Sequence, residues 1–248
     1  MRMPRIANNI KNFLLDLIFP RYCLGCGTEM ASKQSVLVCD ACFDKIALNS
    51  GIQCHICGLR NDKGTCQKCR QKTPLKGLLA ASQYKNPILK EMIHQFKYQS
   101  VESLKKPLAE LIIVYITKEL LTNKLKNSVL VPIPLTLGRK SVRGFNQSEL
   151  LAKEIGKFLN CPVINLLKRK KFTSPQAEIS DWQKRKENIS GAFALNYRFL
   201  ESIVLGKKYP KIILIDDVAT SGATLEEAAR VLKEAGIKEI YGLVVAKG

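Results

Sequence analysis

The chain has 248 residues, 46% of them hydrophobic and 25% charged, which supplies one sizeable core with room for a small appendage. That composition excludes a disordered or fibrous protein. The balance is strongly basic, 40 Lys and Arg against 21 Asp and Glu for a formal net charge of +19, and it favours phosphate-rich partners such as nucleic acid.

In chain order, residues 1–22 hold Ile6, Ile10, Phe13, Leu14 and Leu17 at helical spacing and are expected to form an amphipathic helix. Asp16 interrupts the apolar run there, and no small-residue cleavage site follows, so an export signal is not expected. Residues 23–73 carry eight of the nine cysteines. The composition changes at residues 70–76, and residues 75–248 form the main domain. There, Lys85 to Phe96 and Leu104 to Leu121 read as helices with Pro87 and Pro107 near their starts. Ser128 to Pro134 reads as a buried strand and Asn146 to Leu159 as a helix. Ile212 to Ile215 is a second buried strand, Leu225 to Glu234 a helix capped by Gly236, and Glu239 to Ala246 a last strand. Strands alternating with helices predict an α/β fold, a mostly parallel sheet with helices on its faces. The basic run over 168–186 is the expected mobile loop. No stretch is apolar and long enough to span a bilayer, since Leu108 to Leu121 carries Glu110, Lys118 and Glu119. A reducing cytoplasm is therefore expected, where cysteines signal metal or catalysis.

The cysteines form four Cys-x-x-Cys pairs: Cys23/Cys26, Cys39/Cys42, Cys54/Cys57 and Cys66/Cys69. Each pair offers two thiolates to one tetrahedral ion, and two pairs complete a structural zinc site. Two zinc ions are expected, with sequential pairing preferred and interleaved pairing open. Iron–sulfur ligation and redox dithiols fit the symmetric spacing less well. His55 lies within a knuckle, but the thiolates already fill the shell, so it is expected to be a bystander. Each four-thiolate site carries a charge of about −2, which lowers the formal +19 to roughly +15 and leaves the protein basic.

The segment IILIDDVATSGAT, Ile212 to Thr224, carries the chemistry of the main domain. A buried strand fixes its own end, where open α/β sheets bind ligands. Gly222 and the small residues let backbone N–H groups converge, Thr220, Ser221 and Thr224 add hydroxyls, and the following helix aims its positive end at the same point. Asp216 and Asp217 are placed to accept hydrogen bonds from the vicinal hydroxyls of a ribose. The plainer alternative is an Asp turn before a Thr-capped helix.

This run resembles the phosphoribosyl pyrophosphate (PRPP) signature of type I phosphoribosyltransferases. With the cysteine head, Pro132-Ile133-Pro134 and Arg143-Gly144-Phe145-Asn146-Gln147, the chain resembles the ComF family over nearly its whole length. The resemblance implies a double zinc-ribbon-like head on a type I phosphoribosyltransferase-like sheet with helices on both faces. It implies that Asp216 and Asp217 hold the ribose hydroxyls while Val218, Ala219, Thr220, Ser221, Gly222, Ala223 and Thr224 cradle the phosphate. The loop after Pro134, with Arg139, Lys140 and Arg143, takes the place where this fold binds pyrophosphate, and Mg²⁺ bridges pyrophosphate and ribose oxygens. It also implies a part in natural transformation: handling of incoming single-stranded DNA, contact with other DNA-uptake proteins, and peripheral membrane association through them.

Lys168, Arg169, Lys170 and Lys171 and, further on, Lys184, Arg185 and Lys186 are the DNA-binding candidates, with Phe172 and Trp182 among them for base stacking. The alternative is a charged loop whose aromatics pack inward. Cys161, His94 and Tyr98 are expected in the core or on the surface rather than in the site. Two functional readings compete. In one the site binds PRPP while the basic face binds single-stranded DNA; in the other the protein is an active phosphoribosyltransferase of unknown acceptor. No acceptor pocket or general base stands out in the sequence, which favours the first.

Overall fold

The computed structural model describes residues 21–30, 37–171, 182–198 and 211–248. The expected N-terminal helix lies outside them except for its last two residues, of which Tyr22 makes an antiparallel bridge to Glu29.

The main sheet has six strands in the order β2-β1-β3-β8-β7-β4. They are β1 (Ile52–Gln53), β2 (Arg60–Asn61), β3 (Gly77–Gln83), β4 (Ser128–Pro132), β7 (Lys211–Ala219) and β8 (Glu239–Lys247). The last four run parallel, whereas β1 is antiparallel to both β2 and β3. A separate two-stranded sheet pairs β5 (Leu167–Arg169) with β6 (Phe193–Leu195).

Strand periodicity sorts the apolar side chains into two cores. Leu79, Ala81, Ile213, Ile215, Leu243 and Val245 face one side, where α2 (Pro87–Tyr98), α3 (Lys105–Lys118) and α6 (Gln147–Leu159) bring Leu89, Phe96, Leu108, Leu151 and Ile155. Leu78, Ala80, Ile212, Leu214 and Val244 face the other, covered by Leu225, Ala228 and Leu232 of α8 (Ala223–Glu234) and by Ile189 at the end of α7 (Trp182–Ile189). Helices thus cover both faces of a mostly parallel sheet, as expected.

Several boundaries differ from expectation. Strand β7 continues past Ile215 to Ala219, with Asp216, Val218 and Ala219 in register with Val244, Ala246 and Lys247 of β8. The acidic pair is therefore held inside the sheet. Helix α3 stops at Lys118, and Leu120 at φ 54 turns the chain away before α4 (Thr122–Leu125). The loop expected after Pro134 is a helix, α5 (Leu137–Arg143). Thr136 caps it by accepting from Arg139 N at 3.3 Å, and Gly144 ends it at φ 74, the conformation glycine favours. Parts of the expected mobile run are regular, since Leu167–Arg169 is strand and Trp182–Ile189 helix.

The cysteine-bearing head, which contains the one-turn helix α1 (Asp40–Phe43), is continuous with the main sheet. Strand β1 pairs with β3 at Gln53↔Leu78. Gly51 O accepts from Tyr115 Oη at 2.5 Å, Gly51 N donates to Glu119 Oε2 at 2.7 Å, and Ser82 Oγ donates to Ala47 O at 2.6 Å.

Candidate functional site

A cleft opens at the carboxyl ends of β3, β4 and β7, where parallel sheets place ligands. Tyr84, Ile133, Leu135 and residues 216–225 line it, joined by Lys97 and Tyr98 from α2 and by Arg139, Arg143, Gln147, Ser148 and Arg169.

The acidic pair is built in from both sides. Asp217 is buried and its Oδ1 meets Lys97 Nζ at 2.8 Å. Asp216 Oδ1 accepts from Ser148 Oγ at 3.0 Å and from Asp217 N at 2.9 Å. Burial, reinforced by the Asp217 charge, pushes the Asp216 carboxyl up to about 7, with Lys97 pulling the other way. Burial works against the Lys97 ammonium, but the two carboxylates outweigh it and hold the amine above its usual range.

Past Ala219 the chain turns through Thr220 and Ser221 to Gly222, which opens α8 at φ 80. The N-cap residue Gly222 has no side chain to cap this helix, and its first residues, Ala223 to Leu225, line the cleft. That removes the plainer alternative of a Thr-capped helix. Ser221 Oγ accepts from Ala223 N at 3.3 Å, while Gly248 N donates to Ala219 O at 3.0 Å and Lys247 Nζ to Thr220 O, fixing the turn from behind. The partial positive charge at such a helix start favours an anion beside it.

The five residues Arg143 to Gln147 form the clamp that positions the opposite wall. Arg143 ends α5, stacks 5.2 Å over the Tyr98 ring and donates to Gln147 Oε1 at 3.3 Å. Phe145 packs on Phe96 at 5.4 Å between ring centroids. Asn146 caps α6 by accepting from Ser148 N at 3.1 Å, and its Nδ2 donates to Ile133 O at 3.0 Å. Gln147 Nε2 donates to Phe96 O at 3.2 Å. The clamp thereby aims Ser148 at Asp216.

Among the residues singled out in sequence, 216–224, Arg139 and Arg143 line one cleft, while Lys140 is exposed outside that lining. Arg169 departs from its run: Lys168, Lys170 and Lys171 are exposed, but Arg169 turns into the cleft, 5.2 Å over the Phe193 ring. Burial and the neighbouring Arg139 charge lower its guanidinium to about 10. Lys184 and Lys186 are exposed and Arg185 is half-buried; Phe172 and the Trp182 side chain lie outside the described residues. Tyr98, expected elsewhere, lines the cleft, whereas Cys161 is buried away from it. Lys97, Ser148 and Tyr84 are cleft residues that no motif marked. Only the fold brings their helices and loop to this end of the sheet.

In the head, the sulfurs gather in two sequential quartets, Cys23/Cys26/Cys39/Cys42 and Cys54/Cys57/Cys66/Cys69, each within 4.8 Å. Sulfurs around tetrahedral zinc at ~2.3 Å lie about 3.8 Å apart. The observed contacts are 3.6 Å for Cys23–Cys39, 3.8 Å for Cys26–Cys39 and 3.7 Å for Cys57–Cys66. Both quartets fit closed structural zinc sites, and His55 belongs to neither. No helix among the described residues is long and apolar enough to cross a membrane.

Comparison with known proteins agrees with both halves. Residues 14–70 match the double zinc ribbon domain and residues 100–248 the phosphoribosyl transferase domain. Competence protein F of Haemophilus influenzae is 30% identical over 231 residues, 90% of this chain and 96% of that protein. Competence protein ComFC of Bacillus subtilis is 31% identical over 217 residues, 82% of this chain and 81% of its own. DNA utilization protein YhgH of Escherichia coli (strain K12) is 29% identical over 204 residues, 80% of this chain and 85% of its own. With a double zinc ribbon on a phosphoribosyl transferase domain and relatives of this kind across most of its length, the chain belongs to the ComF family.

Proposed function

We propose that the cleft binds PRPP with Mg²⁺ and that the protein serves DNA uptake or utilisation by handling single-stranded DNA. The observation that carries the ligand reading is one juxtaposition: the uncapped start of α8 beside two carboxylates that are already desolvated. The turn at 220–222 and the first N–H groups of α8 receive the ribose phosphate. Asp216 and Asp217 accept from the vicinal hydroxyls, and the Lys97 ammonium holds the Asp217 side chain in place. Arg139, Arg143 and Arg169 neutralise the pyrophosphate from the opposite wall. Mg²⁺ would supply charge neutralisation to the bound pyrophosphate, with Asp216 and Asp217 the carboxylates of the cleft available to it.

The DNA reading rests on the names of the relatives and on the exposed cations Lys168, Lys170 and Lys171 around the cleft residue Arg169, with Lys184 and Lys186 exposed on α7. Such contacts lose affinity steeply as salt rises, and a flat salt dependence would remove this face from the account.

The ligand reading is tested by titrating PRPP with Mg²⁺ into the protein and into Asp216→Ala/Asp217→Ala. Each charge-assisted hydrogen bond contributes about 1.5–3 kcal/mol, so the double variant should bind at least ~100-fold more weakly. Unchanged affinity overturns the assignment. Steady release of pyrophosphate with an added acceptor would make the protein a transferase rather than a binder.

A further inference from the structure

His55 sits in the third knuckle between Cys54 and Cys57, outside both sulfur quartets, with its side chain only 1% exposed. Its ring lies against the phosphate turn of the other domain. A Cβ placed on Gly222 would come within 3.3 Å of His55 Cδ2 and 4.0 Å of His55 Cβ. Nε2 lies 3.8 Å from Glu226 Oε2, and Glu226 N donates back to Gly222 O at 2.9 Å. The imidazole therefore spans the first turn of α8, touching the residue that opens it and the residue that closes its first hydrogen bond. The same Nε2 is 3.3 Å from Thr73 Oγ1, which accepts from Leu75 N at 3.1 Å just before β3. The first quartet abuts a different element: its Gly25 backs onto Ile88 of α2, with 3.4 Å between a Gly25 Cβ and Ile88 Cδ1.

We propose that His55 is a positioning residue that couples zinc at Cys54/Cys57/Cys66/Cys69 to phosphate binding at residues 220–222. This rests on the phosphate reading of the turn given above. Gly222 takes its φ of 80 without strain and carries no side-chain cap, so the ring packed against it limits where the turn can move. Zinc fixes the knuckle, the knuckle fixes the ring, and the ring keeps the N–H groups of α8 converged on the ligand. Losing the second zinc frees the ring and loosens the turn. Linkage then requires the reverse: a ligand on the turn must hold the second zinc more tightly.

The test uses the full-length, zinc-loaded protein with ribose 5-phosphate as the probe. Zinc transfer to a chromophoric chelator is followed with and without the probe, and probe affinity is measured by calorimetry. The probe should slow release of one of two zincs at least ~5-fold and leave the other unchanged, the low end of ordinary coupling energies. His55→Ala should weaken the probe by a similar factor and abolish the protection. His55→Gln, which keeps a flat polar group against Gly222, should restore most of both. If His55→Ala retains wild-type affinity and protection, the coupling is overturned while the phosphate site stands. If the wild-type protein binds no ribose 5-phosphate, the site reading falls and the coupling with it. The protection measurement needs no substitution, so even with a poorly folding His55→Ala the proposal is refuted if the bound probe slows the release of neither zinc.

Discussion

The head and the sheet domain meet in one continuous sheet but are held by different physics. In the sheet domain, Leu79, Ile213, Ile215, Leu243 and their neighbours are fully buried between two helical layers, each contributing roughly 1.5–3 kcal/mol. In the head, four of the buried side chains are cysteines, Cys23, Cys42, Cys54 and Cys69, and the strands β1 and β2 are two residues each. Apolar burial on that scale does not offset the entropy of ordering some fifty residues, so metal must supply the difference. The head is thus conditional on zinc and the sheet is not. Because Gln53 pairs with Leu78 and His55 backs Gly222, that conditional element sits against the ligand turn.

The comparison breaks most visibly when the metal is removed. In Cys54→Ser/Cys57→Ser we expect one zinc by metal analysis instead of two and a melting temperature lower by roughly 10 °C. Hydrogen exchange should lose protection at residues 52–61 and keep it at 212–215 and 240–246. A variant that keeps two zincs and an unchanged melting temperature would show that the head stands on apolar packing after all.

A smaller effect comes from the clamp on the sheet side. Asn146→Ala removes both the cap on Ser148 N and the bond to Ile133 O, at a buried position. The expected loss is about 1–2 kcal/mol of stability in a denaturant melt. PRPP affinity should fall as well, because Ser148 is no longer aimed at Asp216. A loss of stability without a loss of affinity would confine Asn146 to a structural role.

The legibility of the two regions differed for related reasons. Four Cys-x-x-Cys pairs state their own geometry, so two four-thiolate sites could be read from spacing, but only the fold decides for sequential over interleaved quartets. The acidic pair and its turn were legible because a buried apolar run, two carboxylates and a small-residue turn are contiguous. Strand β3 was not, since GLLAASQ lacks the β-branched residues that mark a strand. Strands β1 and β2 are too short to show a period. His55 stands outside the metal shell as expected, but its contact with Gly222, like the places of Lys97 and Arg169 in the cleft, was not legible, because each reaches an element distant in sequence. Lys97 reaches Asp217 across 120 positions, and His55 reaches Gly222 across 167. Charge and periodicity along the chain contain nothing about such pairings.

The mildest prediction separates what the site needs from what the fold prefers. Burial and Asp217 lift the Asp216 carboxyl to about 7, against an ordinary value near 4 in the unfolded chain. Between those values the folded protein holds a proton that the unfolded chain has released. Stability from this group is therefore fully present at low pH and falls as pH rises through that window. Ligand binding runs the other way, because a ribose hydroxyl needs the ionised carboxylate. From pH 8 to pH 6 the ionised fraction falls about tenfold, and ribose 5-phosphate affinity should follow by a similar factor. The probe's own phosphate titrates near pH 6, so the informative comparison is with Asp216→Asn, which should bind more weakly at pH 8 but with a flatter pH profile. The same substitution should raise the melting temperature above pH 7, since it removes a charge the fold would sooner not bury. Equal pH profiles for the two proteins would assign the titration to the ligand and leave Asp216 without a part in it. A stabilised but weaker-binding Asp216→Asn would identify the acidic pair as a place where the fold gives up stability to keep a carboxylate ready for its ligand.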